Sequence, residues 1–130
     1  MTKNYDEIYS SFAKWLDNLL ENNDMPENTK AFNFNLYEED DNVYSVQLIA
    51  SDRFDPDDDE WACYEIWSSE EDLFFVDTSD EDDKSRETFQ KFVTDMISGY
   101  IVQNDILKKF PAGIGFVDGE IDILYNNEEI

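Results

Sequence analysis

Two adjacent runs of alternating residues limit this chain more than anything else in it. Over residues 31–38, Phe32, Phe34 and Leu36 share one parity, and Asn33 and Asn35 take the other. Over 43–51, Tyr44, Val46, Leu48 and Ala50 repeat the pattern. Apolar and polar residues alternating with a period of two describe a strand with one buried face. A four-residue polar connection, Glu39-Asp40-Asp41-Asn42, joins the runs, so they are expected to pair as an antiparallel hairpin.

The flanking segments have a different period. In 4–22, Tyr5, Ile8, Tyr9, Phe12, Leu16, Leu19 and Leu20 recur at threes and fours, with Trp15 at the border, which predicts an amphipathic helix. Asn4 and Glu7 fit a variant of the capping box. A polar loop over 21–30 contains Pro26. Phe89, Phe92, Val93, Met96, Ile97, Tyr100 and Ile101 predict a second helix over 85–104. Between the helices, 61–68 and 73–77 read as a third and a fourth strand, separated by an acidic turn over 69–72. After the second helix, 113–117 and 120–125 read as a hairpin about Asp118-Gly119, and 126–130 as a frayed end. Strands and helices do not alternate, which argues against a doubly wound parallel sheet. The expected fold is a single α+β domain over 1–130. Its antiparallel sheet is a four-stranded meander plus a C-terminal hairpin, with two helices packed on one face.

Charge sets the functional question. The chain has 33 acidic and 9 basic residues, no histidine and one cysteine, for a net charge of −24. Disorder does not follow, because aromatics are 15% of the residues and disordered acidic chains are poor in them. Direct nucleic-acid binding is disfavoured, since it requires Lys and Arg to neutralise phosphates. Anionic membrane surfaces are disfavoured for the same reason. No apolar run approaches the roughly 20 residues that span a bilayer, and the N-terminal residues lack the apolar core of a signal peptide. The lone Cys63 cannot form an internal disulfide, which suits a reducing compartment, and its apolar neighbours suggest a buried, inert thiol. A cytoplasmic protein is expected.

The residues needed for chemistry are missing. Without histidine the commonest general base and metal ligand is gone, and neither a Ser-His-Asp nor a Cys-His arrangement can exist. A single cysteine excludes an all-cysteine zinc site. A regular calcium loop beginning at Asp55 would need Gly where Glu60 stands and Glu where Ile66 stands. One beginning at Asp77 meets Asp82 and Thr88 at those places. Only an irregular divalent-ion site stays open. Carboxylate pairs suited to glycoside hydrolysis carry no specificity in a chain this acidic. The expectation is a protein that is not an enzyme and needs no cofactor.

The acids are concentrated. Residues 38–83 hold 19 of them and a single base, Arg53, while Lys14, Lys84, Arg86 and Lys91 lie in or beside the helices. Such asymmetry suits electrostatic steering of a basic protein partner. The densest part is 54–67, FDPDDDEWACYEIW, where acids run into Trp61, Tyr64 and Trp67. Trp and Tyr are enriched at interface hot spots. In a strand the three aromatics would point to both faces, so at least one is expected to be accessible. The expected partner-binding residues are Asp55, Asp57, Asp58, Asp59, Glu60 and Trp61. Glu70, Glu71, Asp72, Asp80, Glu81, Asp82 and Asp83 form an outer set.

In size, charge and order of elements, with FNFNLYEEDDNVYSVQLIASD (32–52) and GFVDGEIDILYN (115–126) as the nearest stretches, the chain resembles the acidic bacterial immunity proteins that neutralise toxins of interbacterial competition. The resemblance implies a basic toxin domain as partner, its active site blocked by carboxylates standing where substrate phosphates would lie. Two alternatives are an acidic nucleic-acid mimic or adaptor acting on a basic DNA-binding protein, and an acidic binding domain with no toxin at all.

Overall fold

The computed structural model describes residues 5–39, 42–55, 57–79, 81, 83–104, 107–117 and 119–125. They form helices α1 (Tyr5–Asn22) and α2 (Arg86–Gln103) and strands β1 (Ala31–Glu38), β2 (Val43–Ser51), β3 (Glu65–Ser68), β4 (Phe74–Asp77), β5 (Ala112–Phe116) and β6 (Asp122–Tyr125). Short 3-10 turns occupy Asp59–Cys63 and Leu107–Lys109. The expected α+β class, both helices and the β1–β2 hairpin are all present. The capping role of Asn4 and the end over 126–130 lie outside the described residues.

The sheet is mixed, not wholly antiparallel. Its order is β3-β2-β1-β5-β6, with β4 also paired to β2. β1 and β5 run parallel, Phe32 opposite Ala112 and Leu36 opposite Phe116. The crossover between them carries α2, as a parallel connection requires. The final hairpin, β5–β6, is antiparallel as expected.

The expected meander is also corrected. β3 pairs with the end of β2 at Ile49–Ser51, and β4 pairs with its start at Val43–Val46. The two short strands therefore lie end to end along one edge of β2. The chain between them leaves the edge at residues 69–73. Ser69 holds this excursion from both sides: its N–H donates to the Leu48 carbonyl (2.9 Å), and its Oγ accepts from Leu48 N (3.2 Å). Glu70, inside it, has a φ of 54°, a left-handed conformation that is uncommon outside glycine and costs backbone energy.

Both helices cover the same face. The core joins Phe12, Leu16, Leu19 and Leu20 of α1 and Phe89, Phe92, Val93, Met96 and Ile97 of α2 to Phe32, Phe34, Leu36, Val46 and Leu48. Aromatic contacts fix the arrangement. Phe12 meets Phe74 edge-on at 5.3 Å, and Tyr44 stacks on Phe89 at 4.4 Å. Ring pairs of this kind add about 0.5–1.5 kcal/mol beyond the area they bury. Ser85 caps α2, its side chain accepting from Thr88 N. The Tyr44 hydroxyl donates to the Lys84 carbonyl at 2.6 Å and seats that helix end on the sheet.

Candidate functional site

The opposite face of the sheet has no helix. Its side chains are Asn33, Asn35 and Tyr37 from β1 and Ser45, Gln47, Ile49 and Ser51 from β2. Gly113 and Gly115 of β5 share that parity and are covered there, Gly113 by Asn33, Ile121 and Trp61 and Gly115 by the Glu120 backbone. The connection 52–64 closes over the end of this face nearest Ser51. Here the strand expected over 61–68 is corrected, because Asp59–Cys63 is a 3-10 turn and β3 begins only at Glu65. The cause is local hydrogen bonding. Asp58 takes an extended conformation and its Oδ1 accepts from Glu60 N (3.0 Å), an N-terminal cap. Asp55 does the same for Asp57 N at 2.9 Å. Short acidic side chains compete with a sheet ladder in this way, and here they win.

Trp61 is corrected as a surface anchor. Only 2% of it is exposed, and it faces inward, against the second face. Phe54 packs on its ring at 5.1 Å, and its backbone carbonyl accepts from Ser51 Oγ at 2.6 Å. Gly113 makes the room: an ideal Cβ there would stand 3.1 Å from Trp61 Cζ2 and 2.7 Å from Asn33 Oδ1. Of the other aromatics, Trp67 packs partly buried against the core. Tyr64 is 43% exposed, with the Arg53 guanidinium 3.8 Å above its ring. Cys63, expected to be buried, is exposed.

The expected acids do not converge on one surface. Asp55, Asp57, Asp58, Asp59 and Glu60 are all exposed, at the Ser51 end of β2. Glu70, Glu71 and Asp72 lie on the edge excursion, and Asp72 turns to the helical side, where Trp15 Nε1 donates to its carbonyl and its Oδ1, each at 3.2 Å. Glu81 and Asp83 sit at the far end, next to α2; Asp80 and Asp82 lie outside the described residues. Pairing of β4 with Val43 puts the stretch after Asp77 at the opposite end of β2 from Ser51. The nine residues of β2 separate those ends by about 27 Å at about 3.4 Å per residue.

Several of these acids have structural duties. Asp83 accepts from Thr88 Oγ1 (2.6 Å) and Ser85 N (2.9 Å), and these bonds hold its carboxyl below the ordinary aspartate value, the Thr88 bond most strongly. Hydrogen bonds from Ser79 lower Asp77 likewise. Asp59 Oδ2 accepts from Ile121 N at 3.0 Å, clasping the acidic turn to the β5–β6 hairpin. The carboxylates of Asp57 and Glu60 have no described partner. Among the described residues, no group of three or more His, Cys, Asp or Glu side chains could hold a metal ion.

A cleft of about 310 Å³ opens between the acidic turn and the hairpin. Asp59 and Glu60 border one side, Gly119 and Ile121 the other, and Asn33 and Asn35 lie beneath. Sequence periodicity places these asparagines on a solvated face. In the structure Asn33 is 1% exposed, because β1 is central and the turn covers its end. The signal for that cover is in 112–116, AGIGF, whose glycines share the parity of the second face. Glycine inside a strand marks close approach by another backbone or side chain.

No protein-family model, curated protein or solved structure matches this chain. Among the described residues, no helix is long and apolar enough to cross a membrane.

Proposed function

We propose that this protein is a non-enzymatic inhibitor of a basic protein partner, an immunity protein that neutralises a toxin domain. The observation that carries the reading is the partition of charge, 19 acids against one base over residues 38–83. A field of that sign accelerates encounter with a basic surface and repels nucleic acid. Its leading part is the exposed turn with Asp57, Asp58, Asp59 and Glu60 beside the second-face cleft. Trp61 supports this turn from below, and Tyr64, under Arg53, is the accessible aromatic nearby. The outer acids around Glu70 and Glu81 steer rather than touch, since they lie on other sides of the sheet.

The test is co-expression with the product of the adjacent gene. That product alone is expected to arrest growth, and this protein to restore it. The purified complex should weaken steeply with added NaCl, chiefly through a slower association rate. Changing Asp57, Asp58 and Asp59 together to Asn should weaken it by about tenfold or more. The fold should survive, since Asn keeps an oxygen for the Glu60 and Ile121 N–H groups. A neighbour that is harmless, or an affinity indifferent to both salt and the triple change, would overturn the reading.

A further inference from the structure

The face without helices carries a second ordered group of side chains, at the Val43 end of β2. Antiparallel register sets Tyr37 opposite Ser45, and Ser45 opposite Phe75. One step along, Glu39 N donates to the Val43 carbonyl at 2.9 Å, and Val43 lies opposite Asp77. Directly opposed residues of antiparallel strands share a face. The six therefore form two rows, Tyr37-Ser45-Phe75 and Glu39-Val43-Asp77. The ends of the rows are aromatic or acidic, and the middle is small or aliphatic.

The middle is sunk. Ser45 is fully buried, whereas Phe75 is 56% exposed. Two strand spacings put Tyr37 and Phe75 about 10 Å apart. Ser45 Oγ donates to Glu39 Oε2 at 2.5 Å, which draws the Glu39 carboxylate over the serine, between the two aromatic positions. Tyr37 Oη donates to Gln47 Oε1 at 2.9 Å and ties its ring to the face. Burial first, and then the charges of Glu65 and Glu39, raise the Tyr37 pKa, so the field over the patch is negative. Arg53, the one base of residues 38–83, stands over Tyr64 at the Ser51 end and does not offset it.

An exposed phenyl group alone is ordinary. Here a carboxylate is fixed beside it, and a second, Asp77, lies two residues along the same strand. A purely apolar contact would bury these carboxylates unpaired, which is costly. A second copy of this chain would bring another net charge of −24 to an acidic patch. A lysine or arginine side chain suits both features. Its alkyl stem packs on apolar surface while its charged end stays at the polar rim, and that charge is attracted to aromatic faces. We infer that this patch receives a cationic side chain of the basic partner, its stem on Phe75 and its charge on Glu39. The inference rests on the proposed partner reading and adds a contact point at the other end of the face from the acidic turn.

N-acetyl-lysine methylamide and N-acetyl-arginine methylamide, titrated into the isotopically labelled protein and followed by NMR, isolate the patch from any partner. Each should give saturable shifts of the Phe75 ring and of the Val43 and Ser45 amides. N-acetyl-norleucine methylamide keeps a stem without the charge, and methylammonium keeps the charge without the stem; each should bind several-fold more weakly. Phe75→Ser and Glu39→Gln should each weaken binding of the lysine derivative by about fivefold. Glu27→Gln, which removes the same charge on the loop before β1, should not. Should Phe75→Ser fail to fold, Glu39→Gln alone decides, because that side chain is exposed and Gln keeps an oxygen for Ser45. Either control compound binding as tightly as the lysine derivative, an equal loss in Glu27→Gln, or no saturation would overturn the inference. Shifts of the same residues on concentrating the protein without ligand would also overturn it, by assigning the patch to a second copy. A toxin complex indifferent to Phe75→Ser and Glu39→Gln defeats this inference alone; lysine binding at the patch beside a harmless neighbouring gene product defeats the partner reading alone.

Discussion

Asp59 and Ile121 are 62 residues apart in sequence, and a single hydrogen bond of 3.0 Å between Asp59 Oδ2 and Ile121 N joins the acidic turn to the C-terminal hairpin. Asp59→Ala removes the acceptor and should lower stability by about 1–2 kcal/mol, a typical cost for an N–H losing a charged partner. Asp59→Asn should lose less, because an oxygen remains. Urea denaturation of the two variants checks the order. Amide exchange at Ile121 should quicken in the alanine variant first.

The glycines of β5 are unequal. A methyl group on Gly115 would overlap the Glu120 carbonyl oxygen, a backbone atom. On Gly113 it would stand 2.7 Å from Asn33 Oδ1 and 2.8 Å from Ile121 Cγ2, both on side chains. Side chains yield more easily than backbone, and overpacking typically costs about 1–3 kcal/mol. Gly115→Ala should therefore be the more destabilising, and Gly113→Ala should also disturb the Trp61 fluorescence. Thermal denaturation with fluorescence detection reads both.

Alkaline stability should depend on Tyr100. Its hydroxyl donates to Asp17 Oδ1 at 2.6 Å and ties α2 to α1. Burial first, and then that bond, raise its pKa above the ordinary 10.0. Tyr5, Tyr37 and Tyr44 are raised as well, with burial again the largest cause. A raised folded pKa means that the unfolded chain loses its proton first. The stability is thus fully present below about pH 10 and is lost as the pH climbs from there towards the folded values. Urea midpoints should be level from neutral pH to about 9.5 and then fall. Tyr100→Phe should start lower by about 1 kcal/mol and fall less steeply.

Salt should stabilise the free protein. Self-repulsion at a net charge of −24 opposes compaction, and at 0.1 M salt charges more than about 10 Å apart are largely screened. Raising NaCl from low concentration to about 0.5 M should lift the melting temperature by ~5 °C, roughly 1 kcal/mol. Calcium at matched ionic strength should add nothing more. An extra rise with calcium alone would reveal an ion site in the acidic loops.

Local pattern was enough for α1, α2 and the β1–β2 hairpin, because each carries its own period and its own buried face. It could not find the parallel pairing of β1 with β5, which joins segments about eighty residues apart through contacts that no local period records. The same gap hid the burial of Asn33, since a polar residue at the solvent parity looks exposed until a strand and a turn close over it. Trp61 was misplaced for a different reason. The alternation over 61–68 suits a strand, but the Asp55 and Asp58 side chains bond their own backbone and wind the chain before β3 can start. The acids of the candidate site were legible as residues. Their distribution along β2 was not, because it depends on β3 and β4 sharing one edge.

That shared edge bears on how the molecules meet each other. An uninterrupted outer strand would expose a row of unpaired N–H and C=O groups on which a second copy could build. Here the β2 side is divided into two pieces of four residues by the 69–73 excursion, and the other margin is β6, also four residues. Glu65, Glu70, Glu71 and Asp77 stand along the divided side, so an approaching copy would meet its own charge. A sheet with such margins is a poor template for fibrils.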